Sequence, residues 1–290
     1  MKTLKNKRTL ITGAASGIGR AFALQLADEG AVLILVDVNR DALNAVVVEC
    51  TAKGATAVGL VCDLTKKHEI DQMTATVKDR WHGIDVLINN AGIAYYGPTE
   101  NMSAEQWDRL LQINLLAPIQ ITHAFLPGLL ALEDGGHILN VNSISGLVAG
   151  GRFAAYHTSK FGMVGFTESL RAEYKRRGLG VTSLCPGPVT TNLYNAAESL
   201  RQGRTVPNPP RWICATPEKV AARGIRGIKK NKRMVMITPL AHVLWRVNRA
   251  VPWLLDLVNG LSRKKKKKPA ATVPAPHIAT APIEEQSRVA

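Results

Sequence analysis

Short apolar runs alternate with segments of helical periodicity along most of the chain. Runs rich in Val, Ile and Leu predict strands over residues 9–12, 32–37, 56–61, 86–89, 137–142, 181–185 and 234–237. Apolar residues at helical spacing predict helices over residues 17–29, 41–53, 69–82, 103–132, 154–177, 217–230 and 239–261. This alternation predicts an α/β fold with a doubly wound parallel sheet and helices on both faces, a three-layer αβα arrangement.

Local signals add detail to three regions. Ser103 and Gln106 form the pattern of a capping box that opens the long helix, and Pro118 is the expected position of a bend within it. Residues 190–215 are rich in Pro, Asn and Arg and predict an irregular excursion. We expect one domain over residues 1–238, an amphipathic helical extension over residues 239–262 and a basic, disordered tail over residues 263–290.

The positive charge is concentrated near the carboxyl terminus. The 290 residues carry a net charge of +15, but residues 1–218 contain 21 Lys and Arg against 19 Asp and Glu. Residues 219–268 contain 15 basic residues against Asp256 alone. The amphipathic helix at 239–261 and the lysine run Lys264–Lys268 are typical of a segment drawn to anionic lipid, whereas Arg246, Arg249 and Asp256 argue against a membrane span.

Two other interpretations of this stretch stay open. The apolar stripe could pack on its own domain or on a second subunit, and the lysines could form a solubilising tail. Nucleic-acid binding is not favoured, because no recognised reading motif accompanies the charge. We therefore expect a cytoplasmic protein with peripheral membrane contact as the favoured use of its basic helix, since no secretory signal is visible. Four cysteines without paired spacing predict buried thiols and no metal site.

A glycine-rich turn follows the first predicted strand. Gly13, Gly17 and Gly19 lead directly into a helix, and such glycines allow a pyrophosphate to approach the backbone at the helix N-terminus. Asp37 ends the second strand, where a carboxylate can accept both hydroxyls of an adenosine ribose and would repel a 2′-phosphate. The pattern predicts a bound dinucleotide and favours NAD, with NADP as the alternative because Arg40 is close.

A tyrosine and a lysine share one face of a later helix. Tyr156 and Lys160 stand four residues apart, so their side chains lie on the same side. A free phenol titrates near pH ~10, and a neighbouring ammonium favours the phenolate. Tyr156 is therefore a candidate general base for an alcohol. A surface pair is the ordinary interpretation of two such residues taken by themselves.

The glycine spacing resembles that of the short-chain dehydrogenase/reductase family, and further motifs follow in the family's order over about residues 7–237. These motifs are Asp63 after the third strand, Asn89–Gly92 after the fourth, Asn114 in the long helix, Ser143 after the fifth, Tyr156-His-Thr-Ser-Lys160, and Pro186–Thr190 after the sixth. The resemblance implies a Rossmann fold and an oxidoreductase with the catalytic residues Asn114, Ser143, Tyr156 and Lys160. It implies that Ser143 binds the substrate oxygen and that Asn114 holds a water connecting Lys160 to solvent.

The same resemblance implies a set of cofactor-binding residues. They are Gly13, Ser16, Gly17, Ile18, Gly19, Asp37, Asp63, Leu64, Asn90, Ala91, Gly92, Tyr156, Lys160, Pro186, Gly187, Val189 and Thr191. Family members of this type usually pair through the helices that carry Asn114 and Tyr156, so we expect a homodimer or homotetramer.

The expected substrate-facing side chains are mostly apolar. By analogy they are Ile93, Ala94, Tyr95, Tyr96, Leu147, Val148, Phe153, Tyr194 and Trp212. Such a lining favours a lipophilic alcohol or ketone of long-chain, steroid-like or retinoid type. Two alternatives stay open: a sensor or scaffold that binds NAD(P) without catalysis, and a reductase of acyl substrates tethered to an acidic carrier protein.

Overall fold

The computed structural model describes residues 1–191, 198–199, 206, 209–251 and 253. Its centre is a parallel sheet of seven strands in the order β3-β2-β1-β4-β6-β7-β9. The strands are β1 (Arg8–Thr12), β2 (Val32–Asp37), β3 (Ala57–Val61), β4 (Val86–Asn89), β6 (His137–Val141), β7 (Gly180–Cys185) and β9 (Met234–Met236). The reversal of strand order between β1 and β4 is the place where doubly wound sheets bind ligands.

Helices cover both faces of this sheet. They are α1 (Gly17–Asp28), α2 (Arg40–Ala52), α3 (Lys67–Trp81), α4 (Ala104–Leu111), α5 (Ala117–Ala131), α6 (Ala154–Tyr174) and α7 (Pro217–Lys229), with α8 (Pro239–Ala250) after β9. One apolar core joins the sheet to α1, α2 and α7, and a second joins it to α3, α5 and α6. The predicted three-layer αβα fold is confirmed.

Strand alternation explains why the sheet has two cores. In β1, Ile11 points into the first core and Leu10 into the second, and in β2 the same holds for Leu35 and Ile34. All four side chains are fully buried. Because successive side chains of a strand face opposite sides, a strand covered on both faces is expected to be largely apolar.

The long helix predicted over residues 103–132 is interrupted, but not at Pro118. Ser103 caps α4 in a capping box with Gln106. A π-helical turn, Gln112–Leu116, then separates α4 from α5, and Pro118 lies in the first turn of α5. Proline is tolerated in a first helical turn, so the irregularity lies just before it. The predicted bend at Pro118 was therefore misplaced by a few residues.

The stretch Ala104–Ala131 is, among the described residues, long and apolar enough to cross a membrane. Its side chains Ile121, Phe125 and Leu129 are buried in the second core. Core helices of globular domains commonly pass this test of length and composition.

Two further predictions were wrong in detail. The helix predicted over residues 239–261 ends at Ala250, because Val251 precedes Pro252 and leaves the helical conformation. Residues 254–290, including the predicted tail, lie outside the described residues. The excursion at 190–215 contains a two-residue strand, β8 (Glu198–Ser199), which pairs in parallel with β5 (Tyr95–Tyr96). Strands this short leave no periodic signal in a sequence.

Candidate functional site

A cleft of about 890 Å³ opens at the carboxyl ends of the central strands. The segments that follow β1, β2, β4, β6 and β7 contribute to its wall. In a parallel sheet these segments all emerge at one edge, so residues far apart in sequence meet there.

The glycine turn after β1 is packed too closely for side chains. Gly13 has a positive φ of 65°, and a Cβ atom on it would lie 2.8 Å from the Cα atom of Ala91. A Cβ atom on Gly19 would overlap the carbonyl oxygen of Gly13. Asn90 locks the turn, since its Nδ2 atom donates to the main-chain oxygens of Thr12 (2.9 Å) and Gly13 (3.0 Å).

The first turn of α1 faces the cleft without a side-chain cap. Ser16 is the N-cap residue, but its side chain accepts no hydrogen bond from the helix. Ser16, Gly17 and Ile18 line the cleft. Uncapped main-chain N–H groups at the positive end of a helix dipole fit an anionic group such as a pyrophosphate.

Two carboxylates lie at the same end of the cleft. Asp37 accepts hydrogen bonds from the main-chain N–H groups of Ala15 and Asn39, both at 3.0 Å. Asp63 accepts from the N–H and hydroxyl groups of Thr65. Burial would raise the pKa of Asp63, but these bonds and the charges of Lys66 and Arg109 outweigh it and lower the pKa. Asp63 is therefore a stable hydrogen-bond acceptor.

Tyr156 and Lys160 lie in the first turns of α6, at the other end of the cleft. The Lys160 Nζ atom is 5.7 Å from the centroid of the Tyr156 ring. It donates to the main-chain oxygen of Val141 at 2.9 Å, and the lysine is almost fully buried. Burial lowers the pKa of Lys160 to about 8. A buried ammonium beside a phenol stabilises the phenolate.

Asn114 lies in the π-helical turn, where its side chain connects two segments of the site. Its Oδ1 atom accepts from the N–H of Ile93 (2.8 Å), and its Nδ2 atom donates to the Ile93 oxygen (2.9 Å) and to the Ser159 hydroxyl (3.2 Å). Asn114 thus holds the segment after β4 against α6.

Ser143 and the turn after β7 close this end of the cleft. Ser143 Oγ accepts a hydrogen bond from the N–H of Ser145 at 3.1 Å, and the N–H of Ile144 donates to the Pro186 oxygen at 2.9 Å. An oxygen that accepts such a bond still has its hydroxyl proton to donate. Gly187 packs against Thr238, whose Oγ1 atom would be 2.6 Å from a Cβ atom at that glycine.

The sequence profile of the short chain dehydrogenase family matches residues 7–202. This range contains the glycine turn, Asp37, Asn114, Ser143, Tyr156 and Lys160. The chain belongs to the short chain dehydrogenase family. Members are oxidoreductases that act with NAD(P), and the cofactor of this short chain dehydrogenase is NAD(P).

Known proteins agree with this assignment. A D-beta-hydroxybutyrate dehydrogenase of Rhizobium meliloti is 32% identical over 239 residues, which are 82% of this chain and 89% of that protein. A probable oxidoreductase, EphD, of Mycobacterium tuberculosis is 32% identical over 84% of this chain. The present chain spans only 43% of the length of EphD. A short chain dehydrogenase/reductase of Burkholderia phymatum, solved in complex with NAD, has the same fold with a TM-score of 0.79 and 24% identity, covering 94% of this chain and all of that one.

Most predicted site residues of this short chain dehydrogenase line the cleft. Of the residues predicted to be catalytic or to bind the cofactor, all but Gly19 and Asn114 form its wall. Gly19 lies behind the turn against Gly13, and Asn114 lies behind Gly92. These two residues support the wall from within the protein.

The predicted substrate wall needs correction. Ile93, Ala94 and Phe153 line the cleft, but Tyr95, Tyr96, Leu147, Val148 and Trp212 do not. Trp212 is 87% exposed, and Tyr194 lies outside the described residues. Tyr96 packs behind Phe153, with ring centroids 4.9 Å apart. Analogy with family members indicates which loops face the substrate, but it does not indicate where each side chain of a loop points.

Sequence reasoning also missed residues that line the cleft. They include Thr65, Arg109, Ile113, Asn142, Ile144, Ser145 and Pro188. Thr65, Ile144, Ser145 and Pro188 are neighbours of recognised motifs and could have been included on that ground. Arg109 is on α4, and nothing in its local sequence indicates that α4 passes beside Asp63.

Proposed function

We propose that this protein catalyses the reversible, NAD-linked oxidation of a lipophilic alcohol to a carbonyl compound. The observation that carries the proposal is the phenol of Tyr156 beside the buried ammonium of Lys160, in the same cleft as the glycine turn. When bound, NAD(P) supplies the carbon that accepts or donates the hydride. The protein's own residues handle the proton.

Tyr156 acts as the general base in oxidation and as the general acid in reduction. The positive charge of Lys160 favours the phenolate, which takes the hydroxyl proton of the alcohol. Ser143 donates a hydrogen bond from its hydroxyl group to the substrate oxygen and stabilises charge that develops there. The hydrogen bond from the N–H of Ser145 holds the Ser143 oxygen in place.

Asn114 and Lys160 border a space beside Gly92 that can hold a water molecule. A Cβ atom on Gly92 would lie 3.3 Å from Asn114 Oδ1 and 3.8 Å from Lys160 Nζ, so both atoms border the space beside this glycine. A carbonyl oxygen that accepts one hydrogen bond has a second lone pair available. In oxidation, the proton that Tyr156 takes up is passed on by Lys160 through a water at this position to solvent, and reduction reverses this path.

Charge placement supports a lipophilic substrate. The charged side chains that line the cleft, within the described part of the chain, are Asp37, Asp63, Arg109 and Lys160. The first three lie at the adenosine end, and Lys160 is engaged with Val141. Ile93, Ala94 and Phe153 form the wall near Tyr156. Among the described residues near Tyr156, an ionised substrate would find no opposite charge other than the engaged ammonium of Lys160 to offset its desolvation.

The direct test compares the protein with its Tyr156→Phe variant on a panel of alcohols and ketones. We expect turnover with NAD(H) on lipophilic members, and a loss of kcat of about 10²–10⁴-fold in the variant. NAD(H) binding, measured by fluorescence titration, should weaken far less than kcat, because the glycine turn, Asp37 and Lys160 still line the cleft. Cofactor binding without turnover across the panel would contradict the proposal, and turnover only of carrier-bound substrates would replace it with the carrier alternative.

A further inference from the structure

Two elements border the mouth of the cleft from outside. The 3₁₀ turn Arg211–Ile213 leads to Ala215, which pairs with Val189 in the wall of the cleft. The N-cap residue of helix α8, Thr238, packs against Gly187, and the Nδ2 atom of Asn248 donates to the Leu147 oxygen at 3.2 Å. Both elements therefore flank the segments that follow β7 and Ser143. We call these two elements, with Trp253 that follows α8, the rim surface.

Large apolar side chains of the rim surface are exposed to solvent. Trp212 is 87% exposed, Val243 is 56% exposed and Trp253 is 65% exposed. Among the described residues of α8 whose side chains are placed, Ala241 is the one that is fully buried. Scattered apolar residues are normal on a surface, but exposed tryptophan is typical of a membrane-interface region.

The positive charge of the rim surface indicates which kind of partner it binds. Arg246 and Val243 share the solvent face of α8, with Arg249 beside them stacked over the Trp245 ring at 5.9 Å. No Asp or Glu occurs between residues 219 and 255, and Lys264–Lys268 follow in the sequence. A second copy of the chain would bring like charges together, which is unfavourable. An anionic lipid surface offers charge complementarity to the arginines and an apolar layer to the tryptophans.

We propose that the rim surface docks this protein on anionic membranes, with the mouth of the cleft at the lipid boundary. The benefit of docking for catalysis rests on the proposed function, because a lipophilic substrate is concentrated in the membrane and would enter the cleft from the membrane. Docking itself needs no catalysis and is tested separately from it.

The test is co-sedimentation of the full chain with vesicles of phosphatidylcholine, with and without about a quarter of phosphatidylglycerol. We expect binding to the anionic vesicles and much weaker binding to the neutral ones. The double variants Trp212→Ser/Val243→Ser and Arg246→Gln/Arg249→Gln should each bind about tenfold more weakly.

Matched controls lie elsewhere on the molecule. Val48→Ser removes an exposed valine from α2, and Arg176→Gln/Arg177→Gln removes two exposed arginines just before β7, at the sheet edge opposite the cleft. Both should bind like the unchanged protein. The proposal fails if the rim variants bind normally, if neutralising Lys264–Lys268 removes binding while the rim variants retain it, or if the rim variants change the oligomeric state instead.

A kinetic measurement separates docking from catalysis. For a lipophilic substrate dissolved in vesicles, kcat/KM should fall about tenfold in the rim variants, while turnover of a water-soluble alcohol stays unchanged. Loss of both activities would point to damage of the cleft and would overturn the docking proposal. Normal vesicle binding without activity on any alcohol would leave docking supported and would contradict the proposed function.

Discussion

Asp37 ends β2 with both carboxylate oxygens engaged by main-chain N–H groups, one from Ala15 and one from Asn39. The carboxylate thus lies beside the glycine turn, at the end of the cleft where Asp63 also lies. An anion held there repels a phosphate group on the ribose and leaves hydroxyl groups as the favoured partners. At the scale of one residue, this explains the proposed preference for NAD.

The variant Asp37→Asn tests that preference. It removes the charge but keeps one acceptor oxygen for the turn, so we expect NADP(H) to bind about tenfold more tightly relative to NAD(H). Calorimetric titration of both cofactors measures the ratio, and Asp41→Asn on the exposed first turn of α2 is the control. An unchanged ratio would show that the carboxylate does not discriminate.

His137 makes the stability of the protein depend on pH. It is buried at the start of β6, where Nε2 is 2.9 Å from the hydroxyl of Thr182. Burial, helped by the positive charge of Arg171, lowers the pKa of His137 to about 3. Because the unfolded state takes up a proton near pH ~6.5 and the folded state does not, stability falls as the pH drops below ~6.5 towards the folded pKa.

We expect this histidine to cost about 2 kcal/mol of unfolding free energy between pH ~7 and pH ~5. Urea unfolding at a series of pH values measures the slope, and His137→Gln removes the titrating group while keeping a polar partner for Thr182. The difference in slope between the two proteins isolates the histidine. Parallel pH profiles would contradict the assignment.

At the scale of one element, the start of α4 is determined by local sequence, whereas the position of Asn114 in the π-helical turn is fixed by tertiary contacts. Ser103 and Gln106 form a capping box that is visible in the sequence and present in the structure. The π-helical turn around Asn114 was not visible in the sequence. Asn114 there pairs with Ile93 and Ser159, two residues brought close by the fold, and these bonds fix its position.

The capping box can be tested independently of the site. Ser103→Ala should lower the unfolding free energy by about 1 kcal/mol, because the N–H of Gln106 loses its acceptor. Ser103→Asp should restore it, since an aspartate can accept the same bond. Thermal unfolding followed by circular dichroism measures both, with an expected loss of about 2–4 °C for the alanine variant. Equal melting temperatures would show that the cap does not stabilise α4.

At the scale of the whole molecule, two large apolar residues remain exposed on the helices that carry the site. Leu116 on the π-helical turn is 45% exposed and Phe161 on α6 is 44% exposed. They lie on the helices through which we expect a homodimer or homotetramer to form. Burial of such side chains against a second copy would stabilise the pair.

The variant Leu116→Glu/Phe161→Glu should dissociate the oligomer, because a buried charge without a partner is costly. Sedimentation velocity measures the mass of the species in solution. Val48→Glu, on α2, places a charge on a different apolar surface residue and should leave the mass unchanged. A doubly substituted protein that keeps its mass would place the interface elsewhere.

The sequence by itself predicted the seven strands of the central sheet and the helices that alternate with them, because strands covered on both faces are largely apolar, as in Val32–Asp37. It also predicted the glycine turn, Asp37 and the pair Tyr156 and Lys160 as site residues from residue type and short spacing, and the structure brings them into one cleft. The sequence did not predict the end of α8 at Ala250, before Val251 and Pro252, or the short strand β8.

Tertiary structure decided which side chains meet. The path of the backbone directs Phe153 into the cleft and leaves Trp212 exposed to solvent. The position of α4 brings Arg109 close to Asp63. The lowered pKa of Lys160 follows from burial by segments distant in sequence. Periodicity along a chain reports which face of an element is apolar, whereas burial, charge and direction at a site depend on the neighbours that folding supplies.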